Sequence, residues 1–140
     1  MTKSPATVLV EYIRQESLMT DPDDKLDWPL YISYFPDVKT EMGAIYDTSG
    51  KKLGRYMTGT VVERFGITLK IRSKDYNTGW VKMEAIIARL DTIKNEEITV
   101  DGEDYIIQNV SLLSSFKSPD VEDGTKKRRL FVCDLMLTLK

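Results

Sequence analysis

A chain of 140 residues has room for one hydrophobic core, and its 20 basic and 22 acidic residues give a formal charge of −2, without the basic excess of a nucleic-acid binder. It contains no histidine, which removes the commonest general base, metal ligand and near-neutral proton switch, and with them Ser–His and Cys–His nucleophile pairs. The single cysteine, Cys133, excludes a disulfide framework within the chain and suits a reducing compartment.

In chain order, Ser4 is placed as a helix N-cap and Pro5 as the first helical residue, and Val8, Leu9, Tyr12 and Ile13 recur at helical spacing as one apolar face. This helix is expected to stop at Thr20 or at Asp21-Pro22. The apolar run Ala6 to Val10 is too short for a signal-peptide core or a membrane span. Asp21, Asp23, Asp24 and Asp27 invite a calcium-loop reading, but the spaced ligands and turn glycine of such a loop are missing and a solvated connection is the simpler reading. Leu30 to Phe35, stopped by Pro36, and Ala44 to Tyr46, stopped by Asp47-Thr48-Ser49-Gly50, read as two short strands.

Thr60 to Ser73 is the clearest strand. Val61, Phe65, Ile67, Leu69 and Ile71 alternate with Val62, Arg64, Thr68, Lys70 and Arg72, and Gly66 marks a bulge or a bend. Arg64, Lys70 and Arg72 then form an outward basic row, open to solvent, to a neighbouring subunit or to phosphate; the aromatic interleaving of a single-strand platform is missing. A second helix follows, capped by Asn77 or Thr78, with Trp80, Met83, Ile86, Ile87, Leu90 and Ile93 as its buried stripe; Trp80 and Met83 are read as core, not as a binding box.

Asp101-Gly102 predicts a two-residue hairpin between Ile98 to Val100 and Tyr105 to Leu113. Lys117 to Lys127 reads as a solvated loop. Its neighbouring basic quartet Lys126, Lys127, Arg128 and Arg129 is either solvated loop charge, a polyanion site or one side of intersubunit ion pairs. Arg129 to Leu139 alternates again, with Phe131, Cys133, Leu135, Leu137 and Leu139 inward and Val132, Asp134, Met136 and Thr138 outward.

The expected fold is therefore a single α+β domain over residues 1–140, in the order αβββαβββ. A mainly antiparallel sheet of about five or six strands would carry two helices on one face. Val62, Val132 and Met136 on the uncovered face would leave it unusually apolar, a sign of self-association. Composition and motif together give no catalytic residue, no cofactor site and no metal site.

Three stretches carry a family resemblance: Ala44-Ile45-Tyr46-Asp47-Thr48-Ser49-Gly50, then Arg72-Ser73-Lys74-Asp75-Tyr76-Asn77-Thr78-Gly79-Trp80, and Arg129-Leu130-Phe131. With the Trp28-Pro29 lead-in to the first strand, and over nearly the whole chain from Ala6 to Leu139, they resemble the small tail-terminator or minor capsid proteins of long-tailed phages. The resemblance implies a non-enzymatic virion subunit made in the host bacterial cytoplasm. It implies a ring, usually hexameric, that caps the tail tube, stops its growth and meets a head-side connector or stopper protein, with the genome passing through the lumen without specific binding. Tyr46, Asp47, Arg72, Tyr76, Gly79, Trp80, Arg129 and Phe131 are carried over as fold and turn determinants. The polar loops Ser49 to Gly59 and Lys117 to Lys127 are expected to make contacts, through Lys51, Lys52, Arg55 and Tyr56 in the first and Asp120, Glu122, Asp123, Lys126, Lys127 and Arg128 in and beside the second, beside Arg64 and Lys70. The alternatives are a head-completion or stopper protein of the neck, a monomeric nucleic-acid-binding module using the basic row, and a small metal-dependent hydrolase using the carboxylates Asp21 to Asp27.

Overall fold

A computed structural model describes residues 3–24, 27–36, 41–48, 51–55, 61–113, 117–121 and 129–139, with 24, 51–55, 61–63 and 117–121 described by backbone. Ser4 caps helix α1 (Pro5–Gln15), its hydroxyl accepting the Thr7 N–H at 3.2 Å. The helix stops earlier than its apolar pattern suggests. Ser17 takes a φ of 58°, and the N–H groups of Ser17 and Leu18 donate to the carbonyls of Arg14 and Ile13. This is the Schellman closure, which favours glycine and here uses serine, so the sequence carries no stop signal.

The chain then enters a 3-10 turn (Pro22–Asp24), in which Asp21 Oδ1 accepts the Asp23 N–H. Strand β1 (Leu30–Ile32) pairs in parallel with β2 (Met42–Asp47). β1 is shorter than the expected Leu30 to Phe35 because Ser33 adopts a left-handed φ of 51° and turns the chain away. β2 runs beside β4 (Val61–Ser73), and β3 (Lys51–Arg55) pairs with the start of β4. The pairing of β4 with β8 (Arg129–Leu139) runs without a register shift through Gly66, which faces Met136, so of the bulge or bend expected at Gly66 the bulge is absent; shifts occur instead at Lys52/Gly54, Ile107/Asn109 and Lys117/Asp120.

Helix α2 (Tyr76–Asp91) is capped by Asp75, not by Asn77 or Thr78. The hairpin β5 (Glu96–Val100) to β6 (Glu103–Leu112) turns on Asp101 and Gly102 at φ values of 50° and 81°, the paired positive angles of a type I′ turn. β7 (Lys117–Val121) pairs with the first part of β8. The eight strands among the described residues form one sheet with the main path β1-β2-β4-β8-β6-β5, β3 joining β4 and β7 joining β8. The class is α+β and mostly antiparallel, as the sequence predicts; β3 and β7 extend the expected strand list, and both fall in stretches expected to be loops.

One cluster forms the core. Val8, Leu9 and Ile13 of α1, Met83, Ile86 and Leu90 of α2, Ile67, Leu69 and Ile71 of β4 and Phe131 to Leu139 at alternate positions of β8 all pack into it. Each fully buried aliphatic side chain contributes about 1.5 to 3 kcal/mol. The alternation expected for β4 and β8 holds on this inward face. Trp80 and Ile87 are half-buried against the same cluster.

One register level crosses five strands. Lys52 lies opposite Glu63, Glu63 opposite Leu139, Leu139 opposite Ile107 and Ile107 opposite Glu96. It links β3 at one margin of the sheet to β5 at the other.

Candidate assembly surfaces

The residues singled out in the sequence fall into two groups and a remainder. The first group meets where β4 runs into α2. Ser73 Oγ donates to the Asp75 carbonyl, and Asp75 Oδ2 accepts both the Thr78 N–H at 3.1 Å and the Thr78 hydroxyl at 2.8 Å. These hydrogen bonds hold the Asp75 carboxyl below its usual value. One turn on, Gly79 lies against Phe131, and a Cβ there would stand 2.3 Å from Phe131 Cε2. Tyr76 stacks on Trp80 with ring centroids 6.0 Å apart and tilts over Phe131 at 5.8 Å. Arg129 lies opposite Ser73 in the register and Phe131 opposite Ile71. Tyr76, Gly79, Trp80 and Phe131 thus make one aromatic knot that fixes α2 on the sheet.

Arg72 belongs to the same corner but not to an outward basic row. It is 2% exposed, its guanidinium donates to the Pro36 carbonyl and contacts Met42 Sδ, both at 2.9 Å, and it lies 4.8 Å from the Phe35 ring centroid. The segment after β1 folds over this part of the sheet's second face and encloses the cation. Lys70 is half-buried with its ammonium 5.3 Å from the Tyr46 ring centroid, and Arg64 alone of the three is exposed. The basic row does not exist as a continuous surface. Of the three residues expected to make this face apolar, Val62, Val132 and Met136, two have described side chains. Val132 and Met136 are half-buried, and the Thr68 hydroxyl donates to Asp134 Oδ1 between them; the Val62 side chain lies outside the described residues.

The second group, Tyr46 and Asp47, ends β2. Asp47 Oδ1 accepts the Ala6 N–H at 2.9 Å, satisfying an orphan donor of the first turn of α1. Burial pushes the Tyr46 hydroxyl up from its ordinary value.

The expected contact loops are corrected in part. Lys51, Lys52 and Arg55 lie in β3, opposite Arg64, Glu63 and Val61 respectively, and Asp120 lies in β7 opposite Leu130. Ladder pairing to β4 and β8 turns these polar stretches into strands, which composition alone does not reveal. Tyr56, Glu122, Asp123, Lys126, Lys127 and Arg128 lie outside the described residues.

Sequence reading missed a network that ties three elements together. The Tyr12 hydroxyl donates to Glu96 Oε2 at 2.6 Å, and Arg89 lies 3.5 Å from Glu96 and 3.3 Å from Glu16. Desolvation, reinforced by Glu96, raises the Tyr12 hydroxyl well above the usual phenol range. Tyr12 and Glu96 are 84 positions apart, and no local pattern announces such a pair. Trp28, Val81, Lys82 and Ala85 also line a shallow groove on α2, with the Lys82 ammonium 5.3 Å from the Trp28 ring centroid. Burial lowers the Lys82 ammonium value.

These contacts hold helices, strands and turns together. Cys133 is 1% exposed, and desolvation with the nearby Asp134 pushes its thiol up to about 11, unfavourable for a thiolate nucleophile. Among the described residues no cluster of three or more possible ligands could hold a metal ion, and no helix is long and apolar enough to cross a membrane.

The family model described as Bacteriophage tail terminator protein matches residues 12–130, from within α1 to the start of β8. No curated protein matches the chain.

Proposed function

The chain belongs to the bacteriophage tail terminator family, and from that premise we propose that its copies close into a ring, hexameric as in the resemblance, at the head-side end of a phage tail tube. The ring caps the last layer of tube protein, stops further polymerisation and offers its other face to a head-side connector. The match over residues 12–130 carries this reading. Two features support it. The chain presents different margins on opposite sides of its sheet, β5 on one and β3 with β1 on the other, as heterologous ring contacts require. Its unusual side chains, Arg72, Tyr12 and Cys133, are spent on burial and packing. The genome passes through the lumen without a specific grip, in keeping with a formal charge of −2.

Light scattering with negative-stain imaging tests the ring. The expected mass is about six times the 16.1 kDa subunit, in solution or on tail tubes. Infection with phage lacking this chain tests termination, with tails of unregulated length as the expected product. A single copy per particle, or tails of normal length without it, contradicts the proposal.

A further inference from the structure

The small net charge conceals a separation across the sheet. Residues 91–104, which end α2 and build β5 and its turn into β6, carry Asp91, Glu96, Glu97, Asp101, Glu103 and Asp104 against Lys94. Residues 51–64, which contain β3 and the start of β4, carry Lys51, Lys52, Arg55 and Arg64 against Glu63. The acidic stretch forms one margin of the sheet and the basic stretch lies at the other, and the level through Lys52, Glu63, Leu139, Ile107 and Glu96 joins them. Among the described residues neither β5 nor β3 has a strand on its outer side.

Part of the acidic margin is already engaged within the subunit, Glu96 by Tyr12 and Arg89 and Asp101 by Lys3 at 2.8 Å. Glu97 and Asp104 are exposed, and among the described residues neither has an ion-pair partner; Asp104 accepts only the Thr99 hydroxyl. Arg64, in β4 beside β3, is likewise exposed, and the side chains of Lys51 and Lys52 lie outside the described residues. Bringing two acidic margins together would gather Glu97 of β5 and Asp104 of the adjoining β6 with their own kind, and bringing two β3 margins together would gather lysines. Like charges facing each other across strands are unfavourable. Only the crossed combination brings opposite signs together, and a contact between two different margins propagates in one direction until it closes.

We infer that the acidic β5 margin of one copy docks on the basic β3 margin of the next, Glu97 and Asp104 of one meeting Lys51 and Lys52 of the other. This rests on the ring reading and names the surfaces that make it. The test pairs two reversed proteins, Glu97→Lys with Asp104→Lys, and Lys51→Glu with Lys52→Glu. Each alone is expected to lose assembly by at least about tenfold in association, and an equal mixture to regain it, with salt weakening the wild type likewise. Zero-length carbodiimide coupling of mixed light and heavy-isotope wild-type protein is a second readout, independent of how the variants fold. It should join Lys51 or Lys52 of one copy to Glu97 or Asp104 of another. Rings that form unchanged in both reversed proteins, a mixture that fails to recover, or coupling that avoids these residues each overturn the pairing and leave the ring standing. A wild-type protein that stays a single copy in solution and on tails overturns both.

Discussion

Gly79 shows how one missing carbon sets a helix on a sheet. Replacing glycine by alanine inside a helix ordinarily gains about 1 kcal/mol of propensity, but the added Cβ would collide with the Phe131 ring edge. Phe131 is fully buried and held by Tyr76 and the strand beneath it, so it has little room to give. Gly79→Ala should therefore destabilise the fold by about 1 to 3 kcal/mol in chemical denaturation, opposite in sign to the propensity effect. Asp75, four residues earlier, supports a pH prediction. Its folded value lies below the ordinary 3.8, so its contribution is fully present above 3.8 and is lost as pH falls on through the lower, folded value. Asp75→Asn keeps a capping side chain without the titration, and its stability profile should be flatter below about pH 4 than that of wild type. The sequence names residues at this corner, Arg72, Tyr76, Gly79, Trp80, Arg129 and Phe131, but misplaces Arg72. Strand alternation assigns a face; it cannot see a later segment folding over that face, as Phe35 and Pro36 do here.

At the scale of elements, local chemistry was legible where it is self-contained. The Ser4 cap, the alternation of β4 and β8 and the Asp101-Gly102 turn need only neighbouring residues, and the structure has all three. The turn supplies a test. Gly102 sits at φ 81° with nothing within 4 Å of a Cβ added there, so Gly102→Ala should cost about 1 kcal/mol from backbone strain alone, seen as a lowered thermal midpoint. Elements decided by distant partners were not legible. β3 and β7 exist because β4 and β8 offer them a ladder, β1 ends because Ser33 turns, and α1 ends on a serine where glycine is the usual signal.

Across the whole molecule, the Tyr12, Glu96, Arg89 and Glu16 network joins the two helices to the β5 margin. Tyr12→Phe removes one charge-assisted hydrogen bond while Arg89 still partners Glu96. The expected loss is about 1 to 2 kcal/mol by urea unfolding. Because the Tyr12 hydroxyl is raised above its unfolded value, its contribution is present below about pH 10 and lost as pH climbs beyond it; the variant should lack that alkaline decline. The level running from Lys52 to Glu96 has a further consequence. A subunit with one strand paired two residues out of step would keep the same side chains facing the core yet displace one margin relative to the other by about 6.6 Å. In the ring proposed above, such a copy could not meet neighbours on both flanks at once. Joining would then act as quality control, admitting to the particle only copies whose every strand is in register.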